Sequence, residues 1–413
     1  MEARDRPPPR QAQRRHVKRG PALSTVGLAT VVLAASGLLF AAGCGGAGID
    51  VGGAGDDSPL TGSFRNVEDS PFQPAWRLEL SDPAIYRLKP HELASPAYSA
   101  ELNRVVVSTT SGEYLCVRAT NGEVLWRVSP GGGSSARGTF DGPSVLIGSD
   151  EGELRSLDAG SGRVNWSYKV QGAVQQAPVL AGDLVVFVDG TNSVYAVNRA
   201  DGAWRWQYRR DDPPDDFALA GEARPLFADG RVYVGFSDGH FVALDARDGA
   251  VSWTRDLSPE TLKFQDVDAA AVRALDSVYV ASAGAGLYAL APDTGAVKWL
   301  YPYSGITSTA LALGDVIAGV DRGEVLRVST SDGRLVWRTR LPGGAPSEAV
   351  VSSSYLLVSQ SRGALHFLDS ANGRPVTQFR PGYGIDAPAT VGQDGTAYLL
   401  TNGGVLYGFR PGG

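Results

Sequence analysis

Cysteine is nearly absent from this chain: Cys44 and Cys116 are the only two in 413 residues. Cys44 precedes every repeat described below, so no disulfide can join two folded cysteines. Histidine is scarce as well. His16, His91, His240 and His366 stand far apart, and no Cys/His pair has the spacing of zinc ligands. The chain carries neither a nucleophile-elbow Gly-x-Ser-x-Gly nor a P-loop motif. Its Asp-Gly turns, such as Asp201-Gly202 and Asp248-Gly249, lack the run of acidic ligands that a calcium loop needs. Basic charge is outweighed, with a net of −6, which argues against a nucleic-acid partner. The expectation is therefore a chain without catalytic, cofactor-binding or metal-ligating residues.

What the chain does have is a glycine followed at a fixed distance by a tryptophan. The pairs are Gly122/Trp126, Gly162/Trp166, Gly202/Trp206, Gly249/Trp253, Gly295/Trp299 and Gly333/Trp337. A seventh copy keeps the glycine and replaces the tryptophan, as Gly373/Thr377. Successive glycines lie 40, 40, 47, 46, 38 and 40 residues apart. A period near forty with strand-like content is the mark of a β-propeller, one repeat per blade.

One repeat, Ala223 to Leu257, shows the content. Ala223–Phe227, Val232–Phe236, Phe241–Asp245 and Ala250–Arg255 read as strands joined by Asp-Gly turns. Each tryptophan sits on the outermost strand, where its ring can pack on the next blade and its N–H needs a partner near the turn. Seven full repeats run from about Ser95 to Arg380. An eighth supplies only Ala387–Val391, Thr396–Leu400 and Val405–Phe409. Its missing strand is found at the other end, in Ala75-Trp-Arg-Leu-Glu-Leu80, where Trp76 has the same context as Trp126 in Leu125-Trp-Arg-Val128. The fold class is thus all-β: an eight-bladed propeller of four-stranded antiparallel blades over residues 75–413, closed by an N-terminal strand that completes the last blade and removes its edge.

Residues 1–43 read as a signal segment. Seven basic side chains between Arg4 and Arg19 precede the uncharged run Ala22–Ala42, and Ala41-Ala42-Gly43-Cys44 follows. This resembles a bacterial lipobox, which implies cleavage before Cys44 and lipidation of it. A retained membrane-spanning anchor and a twin-arginine signal at Arg14-Arg15 are the competing readings. All three place the propeller outside the cytoplasm. Removal of residues 1–43 shifts the net charge from −6 to −11 through loss of seven basic and two acidic residues. Residues 44–74 are rich in Gly, Asp, Ser and Pro and read as a tether with a reach of roughly 30 Å. The remaining Cys116 lies in Tyr114-Leu-Cys-Val117 and is expected as a buried thiol.

Irregularities in a regular array mark loops on one face. The two long spacings locate them at Arg209–Glu222 and Asp256–Asp268. Both join an outer strand to the next inner strand, so both should emerge on one rim, from adjacent blades. Phe217, Leu219, Leu262 and Phe264 are apolar residues set there among carboxylates. They serve either as a cover for the core beneath or as anchors of a partner-binding patch.

The copies Ala243-Leu-Asp245…Gly249…Trp253 and Ala196-Val-Asn198…Gly202…Trp206 are similar to the repeat of pyrroloquinoline-quinone-type propellers. In the dehydrogenases of that superfamily the cofactor lies over a tryptophan floor, accompanied by calcium ligands and often a vicinal disulfide. This chain has no adjacent cysteines. With its lipobox and tether it resembles the BamB family of outer-membrane β-barrel assembly lipoproteins. Phe217-Ala-Leu-Ala-Gly-Glu222 is similar to that family's leucine-x-leucine-arginine-glycine-glutamate stretch, and Asp266-Val-Asp268 to its aspartate-valine-aspartate stretch. In the family these segments contact the barrel subunit BamA, so the resemblance implies partner contacts at Phe217, Leu219, Asp266 and Asp268. Ala220 stands at the family's arginine position. The implied function is a lipid-anchored periplasmic scaffold that binds a BamA-type barrel at the outer membrane, a monomer within a complex, performing no bond chemistry. The alternatives are a quinone- or sugar-binding periplasmic propeller of enzymatic or sensory type, or an envelope interaction domain with another partner.

Overall fold

The computed structural model describes residues 63–64, 71–80, 91–210, 223–258, 266–267 and 269–412. All of these belong to the compact unit Ala54–Gly413; the other unit, Met1–Gly53, lies outside the described residues, and with it Cys44.

Within the described residues, eight antiparallel sheets follow one another along the chain, each built on four strands. Leu226–Ala228, Arg231–Gly235, His240–Asp245 and Val251–Asp256 make the fourth. Its two middle strands are buried on both faces, because a neighbouring blade covers each side, whereas the outer strand reads exposed, exposed, buried, exposed. This is why the middle strands are near-continuous apolar runs and only the outer one alternates. The hydrophobic core is correspondingly divided into eight clusters, each drawn from two adjacent blades. One of the eight joins Tyr398, Leu400 and Leu406 of the last blade to Val105, Leu115 and Val117 of the first. The architecture is an all-β eight-bladed propeller.

The glycine–tryptophan spacing has a direct cause. A β-bulge interrupts the outer pair in all eight blades, just ahead of the tryptophan position, and a bulge re-aims the side chain that follows it. The ring then lies on the glycine of the next repeat, not of its own. A Cβ on Gly162 would fall 2.8 Å from Trp126 Cε3, and one on Gly202 would fall 2.5 Å from Trp166 Cε3. These glycines also hold φ near +70°, closing the turn before the outer strand. The indole N–H donates to the carbonyl three residues before that glycine: Trp126 to Ala159 and Trp206 to Ala246 at 2.9 Å, Trp166 to Arg199 at 3.2 Å, Trp253 to Pro292 at 2.8 Å. At these junctions one ring and one hydrogen bond latch a blade to its successor.

The junction at Trp299 differs from the sequence reading, which gave every tryptophan the same role. Its ring does lie on the next glycine, with a Cβ on Gly333 falling 2.7 Å from Trp299 Cε3. The residue is nevertheless only half-buried, whereas Trp126, Trp166, Trp206 and Trp253 are buried. Its N–H reaches Thr330 O at 3.3 Å, a longer bond than its counterparts make. The cause is a shared acceptor: the Tyr279 hydroxyl donates to the same carbonyl at 3.1 Å, and its ring sits 5.7 Å from that of Trp299. Trp76 and Trp337 are half-buried as well.

Several strand bounds also differ from the sequence reading. The inner strand of the fourth blade is Leu226–Ala228, not 223–227, because Ala223–Pro225 pairs with no strand. The inner strand of the last blade shrinks to Thr390–Val391. Phe72–Glu79 begins three residues earlier than expected and lies outermost in the eighth sheet, antiparallel to Val405–Pro411. Ser63–Phe64 adds a fifth strand outside Pro375–Arg380 in the seventh blade, unforeseen from sequence because two residues carry no periodicity.

Candidate functional site

The two long loops leave the propeller beside one turn. Arg210, the last described residue before the first loop, pairs with Asp238, and its guanidinium carbon lies 5.9 Å from the centre of the Phe236 ring. Leu257, at the start of the second loop, donates its amide to Gly239 O at 2.9 Å. Val267, at the end of that loop, donates its amide to Phe236 O at 3.2 Å. From the preceding blade, Asn192 Nδ2 donates to Ser237 Oγ at 2.8 Å. The described residues Arg210, Leu257 and Val267, which flank 211–222 and 259–265, thus all meet the hairpin turn Phe236–His240. Phe217, Leu219 and Asp268 lie outside the described residues.

Asp266 is described, and its place is not the open rim. It is 4% exposed, and its carbonyl accepts the Ala283 amide of the next blade at 2.9 Å. Burial alone raises its carboxyl above the usual carboxylate range. The same staple recurs around the ring: Gly133 O accepts from Asp150, Ala173 O from Gly190, Gly305 O from Asp321 and Gly384 O from Asn402. Asp266 therefore occupies a repeat position held elsewhere by glycine or alanine. The signal that would have revealed this was its register against the inner strands.

The blades converge on a central cavity of about 410 Å³ lined by residues of all eight. In seven of the eight blades one lining residue falls two positions before the inner strand: Ser95, Arg137, Ala177, Arg224, Ala270, Glu348 and Pro388. Three of these are charged, and the sequence analysis did not single them out. Arg224 Nη2 lies 3.3 Å from Glu348 Oε1. Burial depresses the Arg137 pKa, with the Glu348 charge opposing that and the Arg224 charge adding to it. Asp386, at the same cavity, accepts from His91 at 2.6 Å and from Asn402 at 3.2 Å. The lining contains no tryptophan, and no cluster of three His, Cys, Asp or Glu among the described residues could hold a metal. The residues present do not fit a quinone held over a tryptophan floor beside calcium. Cys116 is buried and its thiol is pushed up to about 12 by burial, which makes it inert at neutral pH.

Fold and family match together define an eight-bladed propeller of the pyrroloquinoline-quinone-like class. The profile of the family described as Outer membrane protein assembly factor BamB matches residues 111–339 and 321–411, and the chain belongs to that family. It is similar to the outer membrane protein assembly factor BamB of Legionella pneumophila (strain Paris), with 26% identity over 196 residues, 46% of this chain and 50% of that relative. The chain spans about half the length of the curated relatives it matches. Among solved structures, BamB from Moraxella catarrhalis superposes with a TM-score of 0.71 at 21% identity, covering 82% of this chain and 99% of that one. A quinohemoprotein alcohol dehydrogenase from Pseudomonas putida superposes with a TM-score of 0.66 at 12% identity, covering 83% and 76%. At such identities these likenesses speak for the fold alone.

Proposed function

We propose that this chain is a periplasm-facing scaffold of outer-membrane β-barrel assembly that docks a BamA-type barrel subunit on the rim around Phe236–His240. Residues 1–43 are the signal segment, Cys44 carries the lipid, the tether runs from there toward Phe72 with Ser63–Phe64 paired to the seventh blade, and the propeller begins at Phe72. The strand Phe72–Glu79 closes the ring. Phe217, Leu219, Asp266 and Asp268 form the docking element, with Asp266 fixing the second loop to the fifth blade through its backbone. The protein performs no bond chemistry.

One observation carries this reading: two enlarged loops, about fifty residues apart in sequence, share a single turn as their base. Family membership supplies the class of partner. A patch of apolar anchors inside an acidic rim suits a protein partner, because a few buried side chains carry most of an interface's affinity. The test is affinity purification of the full chain from detergent-solubilised envelope. Recovery of an outer-membrane barrel protein in stoichiometric amount supports the proposal. Recovery of other envelope partners with no barrel among them overturns it.

A further inference from the structure

A second cavity, of about 320 Å³, opens on the same rim between the seventh blade and its neighbours. Its lining includes Gly343, Arg362, His366, Gln378, Arg380 and Gly384, and no lining residue is acidic. Neither Arg362 nor Arg380 takes part in an ion pair among the described residues. The Nε of Arg380 is buried with no hydrogen-bond partner. A buried guanidinium N–H without an acceptor is rare and calls for a specific explanation.

The histidine in the lining adds no charge. Gln360 Nε2 donates to Gly344 O at 2.8 Å, which leaves Gln360 Oε1 to accept from His366 Nε2 at 2.9 Å. Burial, reinforced by the Arg380 charge, holds the imidazole pKa down to about 4. At neutral pH the charge of the cavity is that of two guanidinium groups. The glycines bring the backbone close: a Cβ on Gly384 would fall 2.2 Å from Ser361 O, and one on Gly343 would fall 3.1 Å from Gln360 Oε1.

We propose that this cavity is an oxyanion site that binds a phosphate group through Arg380 and Arg362. Two positive charges with no carboxylate between them match a phosphate dianion better than a single carboxylate. The planar fork of arginine is suited to bidentate phosphate contacts. The group comes either from a free phosphate compound or from a phosphomonoester lipid headgroup.

The test is thermal melting of the purified full chain during titration with inorganic phosphate, with chloride added to keep ionic strength constant. The expected result is a saturable rise in melting temperature. Arg380→Gln and Arg362→Gln should each raise the apparent dissociation constant by about tenfold or more, the order of one lost charge-assisted contact. Arg334→Gln, on an exposed turn elsewhere, should leave it unchanged. If Arg380→Gln does not fold, Arg362→Gln on its exposed turn decides. No saturable rise in the parent, or an unchanged midpoint in the arginine variants, overturns the proposal. A second arm uses the Cys44→Ser chain with phosphatidylcholine vesicles, with and without phosphatidic acid. Recruitment that depends on phosphatidic acid and is competed by phosphate identifies the headgroup as the source. Phosphate binding without recruitment identifies a free compound.

Discussion

The ring of Trp337 packs on Gly373, yet its N–H donates to nothing. A Cβ on Gly373 would fall 2.5 Å from Trp337 Cε3, so the packing half of the latch is intact. The indole nitrogen is nevertheless buried without a partner. The carbonyl that the repeat assigns to it, Ser370 O, accepts instead from Arg327 Nη1 at 3.4 Å. A guanidinium fixed on the other side by Asp315 at 2.8 Å has taken the place of the tryptophan.

This junction predicts an asymmetry between two identical substitutions. Trp206→Phe removes a satisfied hydrogen bond to Ala246 and leaves a buried carbonyl short of a donor, which should cost about 1 kcal/mol more than the lost ring volume. Trp337→Phe removes an unsatisfied donor and should be the milder change. Urea unfolding of the two variants checks this, with Trp206→Phe expected at the lower midpoint.

The glycines of the latch should tolerate alanine less well than other turn glycines. Gly162 and Gly182 have nearly the same backbone, with φ of +73° and +67°. A Cβ on Gly162 meets the Trp126 ring, whereas one on Gly182 meets nothing within 4 Å. Both alanines carry backbone strain of order 1 kcal/mol, and Gly162→Ala adds overpacking of about 1–3 kcal/mol. Thermal melts of the two variants should separate by several degrees.

The period, the strand content and the blade count were legible in the sequence because the Gly/Trp pair is a contact between blades and recurs wherever two blades meet. The position of Phe72–Glu79 was legible because Trp76 repeats the context of Trp126. The burial of Asp266 was not legible because it depends on register, not on residue type. A carboxylate at a staple position held elsewhere by glycine or alanine reads in sequence as part of a polar loop. The channel charges Arg137, Arg224 and Glu348 were missed for a related reason. Each is isolated in sequence and meets the others only when the ring brings the inner strands together. The weakened bond of Trp299 and the lost bond of Trp337 each depend on a competitor from another strand, Tyr279 and Arg327, and no spacing announces either.

His366 makes stability fall on the acid side. Its folded pKa is held down from 6.5 to about 4, first by burial and then by Arg380. Between those values the unfolded chain binds more protons, so stability is lost as pH falls. The loss should reach on the order of 2–3 kcal/mol by pH 4. His366→Gln should flatten this part of the profile. A parent and variant with parallel pH profiles between 6.5 and 4 would show that the imidazole does not stay neutral.

If Phe72–Glu79 closes the ring, its removal exposes the edge of Val405–Pro411 and strips the Trp76 ring from Gly122, where its N–H meets Ala119 O at 2.9 Å. Deletion of residues 72–79 should destabilise the propeller by about 3–5 kcal/mol, as loss of a packed aromatic does, and promote self-association through the bare edge. A deletion variant that stays monomeric and melts with the parent would mean that the ring closes otherwise.

The central claim is that the two loops on the Phe236–His240 rim bind a BamA-type barrel. Its most direct test is co-purification of that barrel with the double variant Leu219→Ala/Asp268→Ala, read alongside the variant's melting temperature. Truncation of a central apolar anchor commonly costs about 2 kcal/mol or more of binding, whereas a change outside the interface costs little. The account predicts strong loss of the barrel with a melting temperature close to the parent's, and full retention with the control Asp150→Ala on another blade. A folded double variant that retains the barrel at the parent level would contradict it.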